Sequence, residues 1–332
     1  MKIRFLLLAA LLAYGSLAAT AQSADDLRVR DKITEAVMKV YDEALEKTPA
    51  DYDTRFARAN QLYYNGEYDA AMADANIVLQ QAPAKAAEIR FDTRLLQARI
   101  LDAQGRYADE VTLLEQAHSD NPASLACVDL LGKAYLHNGN ADKAEQQFQT
   151  ILRDTPTNYD ALYGLAQADL LRGRYDDALD HADDAVKLFS AEPQVYINRA
   201  DILNRSGRHE QAAKNLVSAM LVGNDETDAI NAMFAMSDTH YDAVVNTLAA
   251  TADQAPQATT FPYLRAMIAI RHQHYGQALY DLKRIIDANP TASDAQFYYA
   301  ALCQKELTQW DDAMANINKA IDLVEKADIL LI

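Results

Sequence analysis

Apolar residues recur at helical spacing through runs of about 13 residues, separated by short polar breaks, from residue 51 to about residue 326. Two such runs divided by a glycine predict a helical hairpin, and the hairpin repeats. Gly105, Gly139, Gly173 and Gly207 stand 34 residues apart, Gly66 precedes them, and Thr239, Gln273 and Thr308 continue the register where the glycine is lost. Seven residues before these turn positions lie Ala59, Ala98, Gly132, Ala166, Ala200, Ala232, Ala266 and Ala301. Small side chains there predict a close helix crossing. Two residues after the turn, Tyr68, Tyr107, Tyr175, Tyr241, Tyr275 and Trp310 predict an aromatic plug beside that crossing. Five residues after it the chain carries Ala71, Ala144, Ala178, Ala212, Ala278 and Ala313, with Glu110 and Val244 as exceptions. Pro83, Pro122, Pro156, Pro256 and Pro290 fall 17 residues after the turn, where a residue without an amide hydrogen ends the second helix.

One hairpin cannot bury its own apolar face, so neighbours have to stack. These columns resemble the tetratricopeptide repeat in their small residue, glycine turn, aromatic, alanine and closing proline. The resemblance runs from residue 51 to about 326 and is sharpest from 51 to 223. It implies an all-α fold, an α–α superhelix of about eight hairpins, with an N-terminal capping helix in residues 22–50. Residues 51–224 form five regular repeats, and 225–332 hold three diverged repeats and a tail. The 39-residue step from Gly66 to Gly105 predicts an elongated helix around Ala84 to Arg90, and the 32-residue step from Gly207 to Thr239 an irregular junction.

The ends differ from the repeats. Lys2 and Arg4, the apolar run Phe5 to Ala13, and the small residues Ala19 to Ala21 predict a secretory signal cleaved after Ala21, hence a periplasmic or secreted protein. In residues 24–47, Ile33, Val37, Val40, Tyr41 and Ala44 share one helical face, the pattern of a lone second helix capping the stack. Ile329, Leu330, Leu331 and Ile332 make an apolar tail that either folds back on the last repeat or associates with another chain.

Charge narrows the partners. With 31 basic and 48 acidic side chains the chain carries −17, and −19 without the signal, which disfavours nucleic acid and anionic membrane surfaces. Acidic doublets such as Asp176–Asp177 and Asp311–Asp312 fall at second-helix starts, where carboxylates complement the helix dipole. Cys127 and Cys303 lie five repeats apart, too far for a disulfide, and are expected as buried thiols. His240, His272 and His274 cluster at two successive turns but lack the four ligands of a structural zinc site. No phosphate loop, serine elbow or carboxylate pair stands out, so the expectation is a protein without catalysis, cofactor or metal.

Two diverged repeats place an arginine eight residues before the turn and an aspartate eight after it: Arg58 with Asp74, and Arg265 with Asp281. Each pair predicts a salt bridge across its hairpin, and Arg199 facing Asn215 a neutral substitute. The resemblance also implies that residues six before the turn line a concave groove. These are Asn60, Arg99, Lys133, Gln167 and Asp201, then Met233, Met267 and Leu302. Phe56, Tyr63 and Tyr64 add aromatic and hydroxyl groups at the first end, Tyr163 another ring, and Met236, Tyr263 and Ile270 extend the apolar end, unless Met233, Met236 and Met267 pack between the sixth and seventh hairpins instead. Chaperone adaptors similar to this chain clamp a carboxylate with lysine, asparagine and arginine. Only Asn60 fits that clamp, because Phe56 and Ala126 stand where cations belong. The groove thus predicts a scaffold for a protein or peptide partner, with tyrosines stacking on sugar rings as the alternative.

Overall fold

The computed structural model describes residues 24–329 except 224, 256, 290 and 291, and the side chains of that span except 24–31, 33 and 326–329. The expected signal and the tail residues Leu330, Leu331 and Ile332 lie outside the described residues, as does the side chain of Ile329. Sixteen helices occur among the described residues, in the order α1 (Ala24–Lys47), α2 (Tyr52–Tyr64), α3 (Tyr68–Gln81), α4 (Ala87–Ala103), α5 (Tyr107–Asp120), α6 (Leu125–His137), α7 (Ala141–Asp154) and α8 (Tyr159–Leu171), then α9 (Tyr175–Leu188), α10 (Pro193–Arg205), α11 (His209–Val222), α12 (Thr227–Gln254), α13 (Thr260–Arg271), α14 (Tyr275–Ala288), α15 (Asp294–Glu306) and α16 (Trp310–Ile329). Seven hairpins are separate helix pairs, and α12 contains the two arms of the other one. The fold class is all-α, of the α–α superhelix type. Two compact units meet inside α9, dividing after His181.

Side chains open the first helices. Asp51, Ser124 and Asn158 each accept a hydrogen bond from the backbone amide three residues on, and Ser293 forms a capping box with Gln296. The same turn then ends each one. At Gly105, for example, the Arg106 amide donates to the Leu101 carbonyl at 2.8 Å and the Gly105 amide to Asp102 at 2.8 Å, closing the orphan carbonyls of α4. That closure requires a left-handed residue. Five glycines supply it with φ between 70 and 81°, and Gln273 and Thr308 adopt it at 62° despite their side chains.

In the first unit, the core joins neighbouring hairpins: Leu95, Val111, Leu114, Val128, Leu131, Phe148 and Ile151 pack together, and Phe148 is fully buried. A Cβ placed on Gly132 would come within 2.8 Å of that ring, so the small-residue site is a steric demand here. Helix α1 packs on α2 through a face that includes Met38 and the buried Leu45, whereas Val40 is 64% exposed and stands off the packed face. In the second unit, Ala266, Ala269, Ala278, Leu282, Ala300 and Cys303 form the corresponding cluster.

Three sequence expectations are corrected. The aromatic plug is incomplete: Tyr107, Tyr175 and Trp310 are 37, 41 and 59% exposed. The long helix after Pro83 begins at Ala87, and Pro83 to Ala86 form a turn closed by the Ala86 amide on the Pro83 carbonyl at 2.9 Å. The sixth turn is shorter by one residue. Arms that the other hairpins separate run on as α12, broken only by non-helical angles at His240 (φ −132°, ψ 51°).

Candidate functional site

First helices of successive hairpins touch directly, α2 with α4, α4 with α6 and α6 with α8 in the first unit, and α10 with the first arm of α12 in the second. Such contacts place the first helices on the inner side of each stack, where their remaining side chains share one face. In the first unit that face starts with aromatics. Tyr64 is 75% exposed, its ring 5.5 Å edge-on from Tyr63, which in turn lies 5.9 Å from Tyr68, with Phe56 half-buried on the same helix. Burial raises the Tyr63 phenol above its ordinary range, so it remains a neutral donor. Tyr163 stacks parallel on Tyr159 at 6.5 Å.

Polar groups on this face are unevenly available. The Asn60 amide donates to the Phe56 carbonyl at 3.0 Å, and Lys133 is held by Asp129 at 2.8 Å, one helical turn away. Gln167 keeps a buried Nε2 without an acceptor, and Arg99 is exposed with no ion-pair partner among the described residues. Arg99 is therefore the free cation beside the tyrosines. Its charge lowers the Tyr63 phenol, against the larger effect of burial.

In the second unit Asp201 is tied to Arg205 at 3.0 Å, and Tyr263, Met267 and Ile270 are half-buried against the Ala266–Cys303 cluster. Leu302 is half-buried as well. Met233 and Met236 do not line an open surface: they are 0 and 6% exposed. The short sixth turn is the reason. Counted from His240, Met233 occupies the small-residue site seven before the turn. Met236 occupies the site four before it, which Leu62, Leu101, Tyr135, Leu203 and Ala269 fill as buried residues elsewhere. The same offset moves Phe234, half-buried, to the lining position. Sequence spacing alone hid it because Thr239 is in register with the second arm, not the first.

Both arginine–aspartate pairs sit together. Arg58 donates to Asp74 through Nε at 2.7 Å and Nη2 at 2.8 Å, and its Nη1 reaches Asp42 of α1 at 2.6 Å. These bonds hold the Arg58 guanidinium well above its ordinary pKa. Arg55 adds a third contact to Asp74 at 3.2 Å, so one buried carboxylate joins α2 to α3 while Arg58 fastens the cap helix. Arg265 binds Asp281 in two-pronged fashion, with Nε–Oδ2 at 2.7 Å, in a pair that leaves 11 and 0% of the side chains exposed. Arg199 donates to Asn215 at 3.1 Å and also pairs with Asp183.

Nucleophile chemistry finds no support in the thiols. Burial pushes Cys127 up to about 11 and Cys303 to about 12, which keeps both protonated near neutrality. His240 stacks on His209 at 3.4 Å, whereas His272 and His274 both lie against Tyr241. These histidines join no group of three metal-ligand atoms among the described residues.

Residues 130–193 and 172–229 match the family model described as tetratricopeptide repeat. Cellulose synthase operon protein C of Pseudomonas fluorescens strain SBW25 is 24% identical over 177 residues, which cover 52% of this chain and 14% of that protein. Among solved structures, the chain is similar to a tetratricopeptide repeat protein from Parabacteroides merdae, with 12% identity, 82 and 93% of the two chains covered, and a TM-score of 0.43. A thermophilic protein of the same kind from Thermus thermophilus is 20% identical over 54 and 99% of the two chains, with a TM-score of 0.41.

Proposed function

Because the chain belongs to the tetratricopeptide-repeat family, we propose that it is a non-catalytic scaffold of the cell envelope, holding a partner protein through an extended segment on the inner face of its first unit. The exposed Tyr64 ring beside Tyr63, next to the unpaired Arg99, carries this reading. The few residues that carry most of the energy in protein interfaces are enriched in tyrosine, tryptophan and arginine. Phe56, Asn60 and Tyr163 widen the surface. Envelope location is supported by the charged, apolar and small-residue order of residues 1–21, and no described helix is long and apolar enough to cross a membrane.

Tyr64 and Arg99 are exposed, so replacing both with alanine leaves the core intact. The double variant is expected to retain its circular dichroism and lose at least about tenfold of the partner recovered by wild type from envelope extract. Undiminished recovery of every partner contradicts the proposal.

A second reading is an accessory role in an assembly that handles polysaccharide, with Tyr63, Tyr64 and Tyr163 stacking on sugar rings. The chain's similarity to a protein of a cellulose synthase operon favours it. Retention on insoluble cellulose that disappears in Tyr64→Ala supports this alternative over a peptide partner.

A further inference from the structure

Glu110 breaks the alanine column. At the position filled by Ala71, Ala144, Ala178, Ala212 and Ala278, each fully buried, this carboxylate is 2% exposed, and its Oε2 has no hydrogen-bond partner. A buried, unsatisfied carboxylate is costly unless something neutralises it. Its surroundings hold two further donors. His137, at the end of α6, places Nδ1 2.8 Å from Asp102 Oδ1 at the end of α4, and one ligand atom from each of Asp102, Glu110 and His137 lies within 4.8 Å of the others. Among the described residues this is the one group of three such donors. His137 is 45% and Asp102 41% exposed, so the group opens to solvent on one side and ends on a buried carboxylate on the other. The Tyr107 ring lies 5.0 Å from the imidazole and covers part of the site.

We propose that Asp102, Glu110 and His137 bind a divalent transition-metal ion of the zinc type. One imidazole and two carboxylates suit such an ion, whereas magnesium and calcium take oxygen ligands alone. Tetrahedral ligands about 2.0–2.1 Å from zinc sit roughly 3.3 Å apart, so the 2.8 Å between His137 and Asp102 would open slightly and donors now up to 4.8 Å apart would close by up to about 1.5 Å. The ion would join α4, α5 and α6, and so two successive hairpins, and would leave at least one coordination position for water or a partner's donor. The ion would meet the charge and bonding need of Glu110 that no protein group meets.

Titration of the EDTA-stripped full chain with zinc chloride, followed by calorimetry, tests this. Wild type is expected to bind one zinc at this site, with magnesium chloride giving no such binding. Glu110→Ala restores the column's usual residue and keeps the fold. It is expected to weaken that zinc by at least about tenfold, as is His137→Ala at an exposed position. His240→Ala reports on zinc taken up by the histidine pair elsewhere and is expected to leave the site's zinc unchanged. Absence of zinc binding by wild type, or zinc affinity unchanged in both Glu110→Ala and His137→Ala, overturns the proposal. So does loss of the zinc in His240→Ala alone.

Discussion

Two ion pairs of similar composition have opposite consequences because of burial. Arg265 and Asp281 are almost wholly removed from water, so cutting the arginine leaves a carboxylate buried without its counter-charge. Arg94 and Asp120, 2.7 Å apart, are 28 and 58% exposed, and water replaces the lost partner. Arg265→Ala is therefore expected to lower stability by about 3 kcal/mol, and Arg94→Ala by less than about 1 kcal/mol, measured from urea unfolding midpoints. Equal losses contradict this account. Both clasp positions were legible in the sequence because the charges recur at one repeat spacing. Glu110 was also visible as a departure from alanine, but its two companions were not: Asp102 comes beside it through the turn of its own hairpin, and His137, of the next hairpin, only through stacking.

Elements were legible to the extent that local chemistry defines their ends. Glycine turns located the first five hairpins, and the small-residue column, with Pro290, the seventh and eighth, because each turn needs one left-handed residue and each second helix needs a stop. At the sixth hairpin that chemistry fails, and the sequence leaves open whether its methionines face the surface or the core. One residue fewer in its turn shifts the first arm against the second, so Met233 and Met236 enter the core instead of the surface. The extended helix after Pro83 was anticipated, but its start was placed too early because alanine-rich sequence does not reveal a proline-initiated turn. Turn geometry itself gives a stability prediction. Thr308 holds a left-handed conformation at φ 62° with a branched side chain, so Thr308→Gly is expected to raise stability by about 1 kcal/mol, seen as a higher melting temperature. A lower melting temperature contradicts the strain.

At the scale of the molecule, stacking turns a repeated apolar stripe into two surfaces with different chemistry. First helices meet one another across hairpins and present Tyr64, Arg99 and their neighbours on the inner side of the first unit, whereas exposed second-helix residues such as Gln149 lie on the outer side. The family and the first-helix places of these residues followed from sequence columns. Which of those positions remain available did not, because Asn60 and Lys133 are engaged by groups on their own helices. The most direct test of the central claim places a photo-crosslinking amino acid at residue 64 or at residue 149 and irradiates the protein in its native envelope. A defined protein adduct at 64, absent at 149 and lost when Arg99→Ala is added, is the predicted result. An adduct at 149 alone, or one at 64 indifferent to Arg99, contradicts it.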